Sequence, residues 1–192
     1  MPENNATAPY PPVFNPYHHL FFSNGYAYIP SPNDPFPPIS PPRLAIFLPN
    51  GTTQDVGSPS VVGQRPGELG AGPRASIDAY WFNVYGAYLG CNNSGPAECS
   101  VTISGFSWDH TVQQEILFTQ QAFKIPPCPS FLDCHLTSIE FPSLFRGLSG
   151  LQILATLTGS DSPIVFYMDN LSMSWYNNTC AAGLIRQMSR KK

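Results

Sequence analysis

The side chains able to do chemistry are few in this sequence of 192 residues, and they are widely spaced. Four of the five cysteines form two close pairs, Cys91 with Cys99 and Cys128 with Cys134, while Cys180 stands apart. Neither pair has C-x-x-C spacing, and His135 beside Cys134 brings no histidine at zinc-site spacing. Two short-range disulfides are the expected chemistry, tying local segments and implying an oxidising compartment. Cys180 is then a free thiol, an intermolecular link or a partner in a rearranged pairing. Asn50-Gly-Thr, Asn92-Asn-Ser and Asn177-Asn-Thr are sequons in turn-like contexts and are expected glycosylation sites. Asn5-Ala-Thr and Asn170-Leu-Ser fit the same pattern, although Asn170 falls inside an apolar strand pattern.

Nothing in the order of residues spells out an enzyme. There is no G-x-S-x-G elbow, no H-E-x-x-H and no Gly-rich phosphate loop. The histidines, His18, His19, His110 and His135, are too scattered to form a constellation. Glu115 and Glu140 are the carboxylates a glycosidase would set across a bond, but their spacing fixes no separation. Binding chemistry has better material. Sugar recognition places aromatic rings beside amide and carboxylate partners. Trp108 follows a strand in Gly-Phe-Ser-Trp-Asp-His with Asp109 beside it, and Tyr85 offers a second ring. Trp81 and Trp175 are expected in the core or under the N-terminal segment.

Composition sets the frame that must position these groups. Charged residues are 11% of the chain and the net charge is −3, against about 25% charged in a typical globular domain. With lysine only at Lys124, Lys191 and Lys192, no basic stripe exists for a phosphate backbone, so no nucleic-acid partner is expected. No apolar run reaches the roughly 18 residues needed to span a membrane. The N-terminus, Met1-Pro-Glu-Asn-Asn, lacks a basic region followed by an apolar run. Either the protein is secreted and the signal peptide is missing from this chain, the reading the cysteines and sequons favour, or the cysteines are reduced in a cytosolic protein.

Residues 1–10 are expected to be a disordered start. Residues 11–74 are rich in proline and glycine yet hold Tyr17, Leu20, Phe21, Phe22, Tyr26, Tyr28, Ile29 and Phe36. Such aromatics need a surface, so this stretch is expected to be an extended arm packed on the main domain. Its short strands fall near Leu20–Phe22, Tyr26–Ile29 and Leu44–Phe47, followed by a long loop over 50–75. Residues 75–180 carry strand patterns at Tyr80–Leu89, Cys99–Gly105, Gln114–Phe118, Leu136–Phe141, Leu151–Leu157 and Ile164–Trp175. These predict an all-β sandwich. In residues 181–192, Ala181, Leu184, Ile185 and Met188 share one face of a short helical or disordered tail. Alternation along the last strand puts Val165, Tyr167, Asp169, Leu171, Met173 and Trp175 together. Either Asp169 is buried with a partner, or a bulge near Asp169-Asn170 turns it outward.

An ordered series of segments resembles a family of fungal secreted proteins of unknown function. These are Tyr88-Leu-Gly-Cys91, Cys99-Ser-Val-Thr-Ile-Ser-Gly-Phe106, Phe141-Pro-Ser-Leu-Phe-Arg-Gly-Leu148 and Phe166-Tyr-Met-Asp-Asn-Leu171. That family's domain is similar to the galactose-binding-like jelly rolls of carbohydrate-binding modules, and the resemblance covers about residues 80–176. It implies a jelly-roll β-sandwich and a non-catalytic extracellular module without cofactor that binds cell-wall or matrix glycans. The alternative is a structural domain that binds another extracellular protein and has no sugar site. In some such modules the acidic residue of the closing strand helps hold a structural calcium, a role that falls on Asp169 here. The Gly-Phe-Glu/Asp segment that supplies further ligands in related domains has no counterpart in this chain.

Overall fold

The computed structural model describes residues 10–30, 35–51 and 64–189. Alternation builds its strands. In β6 (Cys99–Asp109), Val101 and Ile103 are buried while Ser100 and Thr102 between them are partly exposed. The other strands are β1 (Phe21–Phe22), β2 (Tyr26–Pro30), β3 (Arg43–Phe47), β4 (Glu68–Gly70), β5 (Phe82–Cys91), β7 (Gln114–Ile125), β8 (Thr137–Glu140), β9 (Gly150–Leu157), β10 (Pro163–Ile164) and β11 (Phe166–Trp175). An α-helix, α1 (Cys180–Met188), follows them.

The strands form two antiparallel sheets packed as a sandwich. One has the order β2-β3-β11-β5-β8, and the other β1-β4-β9-β6-β7 with β10 also paired to β9. Without the edge strands β1, β2 and β10, the sheets read β3-β11-β5-β8 and β4-β9-β6-β7. That is the connectivity of a jelly roll: most successive strands cross from one sheet to the other. The main core lies between the sheets and includes Leu69, Val84, Leu89, Ile103, Phe145, Leu151, Ile153 and Phe166. A second cluster covers the opposite face of the five-stranded sheet. There Ile29, Leu44, Ile46, Val165 and Tyr167 pack under Phe36, Leu136 and the Cys128 and Cys134 side chains. The Leu44–Phe47 part of β3 and the Phe166–Met168 end of β11 are thus covered on both faces, which explains the continuous apolar runs Leu44–Phe47 and Val165–Met168.

The N-terminal segment departs from the expected arm. Its short strands form where they are expected, but β3 and β4 are members of the roll itself, hydrogen-bonded to β11 and β9. A boundary at residue 75 cuts the roll between β4 and β5. Strand β4 also interrupts the stretch expected to be one long loop. The expected start at 1–10 lies outside the described residues except for Tyr10.

Three further expectations resolve. Both disulfides form, Cys91–Cys99 and Cys128–Cys134, and Cys180 is an exposed free thiol. The first is short in sequence but not local in space, since it joins the end of β5 to the start of β6 in the opposite sheet. The closing strand takes the bulged alternative. Its register against β5 shifts between Asp169 and Ser172, and Asn170 sits at φ 48°. The shift carries Leu171, Met173 and Trp175 to the main core, on the side of Phe166 and Met168. Finally, α1 docks by a different face from the amphipathic one. Ala182 and Arg186 are buried, whereas Leu184 and Met188 are 58% and 64% exposed. Arg186 decides this. Its guanidinium donates to the carbonyls of Ala79 and Asn177 and lies over the Trp175 ring.

Candidate functional site

Two-residue periodicity determines which side chains reach the outer face of the six-stranded sheet. Val101 and Ile103 of β6, Leu151 and Ile153 of β9, and Leu69 of β4 point into the core. Phe106, Trp108, Gly150, Gln152 and Glu68 therefore project the other way. Trp108 is the register partner of Glu115 on β7, and Glu68 that of Gln152. The turn at Gly72–Ala75 and the strand entry at Gln64–Arg65 rise beside them. Together with Gln113, Gln114 and Glu115 they enclose a cleft of about 290 Å³ with Trp108 in its wall. Trp108 is half-buried, seated against Ala71, Ala75 and Tyr80.

Beneath the cleft lies a charged floor. The Arg65 guanidinium stacks 3.8 Å over the Phe106 ring and reaches two carboxylates, Glu68 Oε2 at 3.1 Å and Glu115 Oε2 at 3.5 Å. Glu68 Oε2 also accepts the Arg65 backbone N–H at 2.8 Å, and Glu115 Oε1 accepts the Ser149 hydroxyl at 2.6 Å. Gly150 makes the arrangement fit. A Cβ there would lie 2.8 Å from Glu68 Oε1 and 3.1 Å from Glu115 Oε1, so any side chain would collide with the pair. Burial, reinforced by the Glu115 charge, raises the Glu68 carboxyl to about 7 despite the hydrogen bonds from Arg65. Glu68 is only 1% exposed. It holds a proton near neutrality but has no surface from which to pass it to a substrate. Glu140, the other carboxylate singled out in the sequence, lies on β8 in the opposite sheet and does not meet Glu115.

The remaining sequence candidates are dispersed. Asp109 shapes the turn between β6 and β7. Its Oδ1 accepts the N–H groups of Thr111 and Val112, and the first of these holds its carboxyl below the ordinary range. Tyr85 belongs to the other sheet, where its hydroxyl is 2.8 Å from Ser174 Oγ and Arg146 stacks on its ring. Asp169 is tied to the backbone around it: Oδ2 accepts Ser40 N–H and Oδ1 accepts Asn170 N–H, both at 2.8 Å. Among the described residues, no three His, Cys, Asp or Glu side chains gather as a metal site requires. Of the sequon asparagines, Asn50 is exposed and Asn92 half-buried. Asn177 Nδ2 donates to Asp78 Oδ2 at 2.9 Å.

Trp108 is the candidate that the fold equips with neighbours. Gln64, Arg65, Glu68, Gln113 and Gln114 escaped the sequence analysis. A signal was available in Arg65-Pro-Gly-Glu68: two opposite charges flanking a turn, in a chain where charge is scarce.

Roll, cross-sheet disulfide and aromatic-walled cleft define a disulfide-containing jelly-roll protein. No helix among the described residues is long and apolar enough to cross a membrane. The chain belongs to the family described as Domain of unknown function (DUF7371), whose model matches residues 1–186. None of the curated proteins matches it. Among solved structures it is similar to a DUF4465 family protein from Bacteroides caccae. The two share 10% identity at a TM-score of 0.48, over 91% of this chain and 89% of that one.

Proposed function

We propose that the protein is a non-catalytic extracellular module that binds glycans in the Trp108 cleft. The observation that carries this is one aromatic wall facing five hydrogen-bonding side chains, Gln64, Arg65, Gln113, Gln114 and Glu115. A sugar ring offers the complement, an apolar face for the indole and a rim of hydroxyls for amides, guanidinium and carboxylate. The two disulfides support an oxidising, extracellular setting. The depth of Glu68 supports binding over catalysis. A second reading, a protein-interaction domain without a sugar site, draws on Ile116, Leu117 and Phe118. These are 40%, 53% and 55% exposed on the edge strand β7.

A glycan array separates the two. The wild-type protein is expected to bind a subset of wall or matrix glycans. Trp108→Ala is expected to weaken that binding by about tenfold or more, as loss of one stacked ring implies, while the variant stays folded at a lower urea midpoint, because the indole also packs on Ala71, Ala75 and Tyr80. A folded wild-type sample that binds no glycan on the array sinks the proposal.

A further inference from the structure

A second and larger cleft, sharing no residue with the first, opens where the N-terminal segment meets α1. Its volume is about 550 Å³, within the range of small-molecule sites. Phe82, Met173 and Trp175 make an apolar floor, and His18, His19, Ser174, Arg186 and Gln187 stand around it.

The His18-His19 wall is built against local preference. Tyr17 and Leu20 exchange both backbone hydrogen bonds, at 2.9 and 3.0 Å, so the two histidines are the central residues of a two-residue hairpin. Both have positive φ, 48° and 70°. Such turns favour Asn-Gly; histidine enters the left-handed region more readily than most residues but less readily than glycine, so two in succession are unfavoured. Here the strained positions carry two imidazoles instead, at the mouth of a cleft. Strain of this kind concentrates at functional sites.

The charge around the cleft has one sign. Among the described residues no aspartate or glutamate lines it, while Arg186 is cationic and stacks 4.7 Å from Trp175, which His19 approaches at 6.1 Å between ring centroids. The His18 and His19 imidazoles and the Gln187 amide stand over aromatic and thioether surface, and the buried Arg186 guanidinium, held by the Ala79 and Asn177 carbonyls, adds positive charge behind them. We infer that this cleft binds a ring-bearing carboxylate of one- to two-ring size. The ring lies against Trp175 and Met173, and the carboxylate accepts hydrogen bonds from the His18-His19 turn. The ring has two sources, a uronic-acid sugar or an aromatic acid.

The test uses the whole chain and a variant that repairs the turn. Galacturonate, benzoate and neutral galactose are titrated while the histidine side-chain resonances are followed by NMR. Either acid is expected to shift His18 and His19 but not His110 and His135, and galactose is expected to shift none. A response to galacturonate alone identifies the sugar source, and one to benzoate alone the aromatic source. The variant His18→Asn with His19→Gly supplies the favoured turn residues. It is expected to melt at a higher temperature and to bind the acid about tenfold more weakly by calorimetry. The inference is overturned by acids that move neither imidazole, by galactose binding as well as galacturonate, or by a stable variant that binds like the wild type.

Discussion

Glu68→Gln is expected to stabilise the protein by about 2–3 kcal/mol at pH 8 and to leave it almost unchanged near pH 4.5. The Glu68 carboxyl titrates at about 7 in the fold, against 4.5 for an unperturbed glutamate. Below 4.5 it is protonated in both folded and unfolded chains and contributes no pH dependence. Between 4.5 and 7 the folded chain keeps a proton that the unfolded chain has released, so stability falls as pH rises. Above 7 the full penalty of a buried carboxylate is present. The charged groups facing it are Arg65, which favours the charge, and Glu115, which opposes it. A neutral amide removes the penalty, and its carbonyl can still accept the Arg65 N–H. Urea unfolding of both proteins from pH 4.5 to 8 measures the gap; curves that stay parallel would mean that Glu68 is not the strained group.

Removing the Cys91–Cys99 bond by replacing both residues with alanine is expected to destabilise the chain by about 2–4 kcal/mol. Its loop is short, with a sequence separation of 8, which limits the entropic contribution. Its position compensates. The two sulfurs are buried at the ends of β5 and β6, and beside them Thr158 N–H bonds Glu98 O and Asn92 N–H bonds Val165 O. Opening the bond loosens the seam between sheets as well as the unfolded-state restraint. A drop in the urea midpoint is the expected signature, with a slope equal to or slightly steeper than the wild type's because the freed unfolded chain exposes more surface. A loss below about 0.5 kcal/mol would show that strand pairing alone holds this end of the sandwich.

Strand existence was readable where alternation is strong and both ends are punctuated, as at Cys99–Gly105 and Leu151–Leu157. Cysteine spacing was enough for both disulfides. What escaped was whatever depends on register between distant segments. Strand β4 has three residues inside a Gly/Pro-rich stretch, too few to show a period. A glutamate there reads as surface, and nothing local says that Glu115 will be placed beside it. The turn of Asp169 to the outside had a better clue, because Asn170 is among the few residues that tolerate the left-handed region. Which face of α1 docks was not legible, because apolar periodicity is indifferent to a buried arginine. Arg186 found backbone carbonyls and an indole, and the apolar stripe was left outside.

The pairing of β3 with β11 and of β4 with β9 couples the earliest strands of the roll to the latest, with Ile46 opposite Tyr167 and Leu69 opposite Leu151. Contacts so far apart along the chain must form late, so folding belongs to the millisecond-to-second regime of β topologies. During synthesis, Leu44, Ile46 and Leu69 emerge long before their partners exist. Prolines stand guard around them: Pro41 and Pro42 precede β3, Pro49 follows it, and Pro66 precedes β4. Each removes a backbone donor from a segment that would otherwise template a wrong strand. The proline-rich composition that makes this third of the chain look unlike a domain protects it until the domain can close.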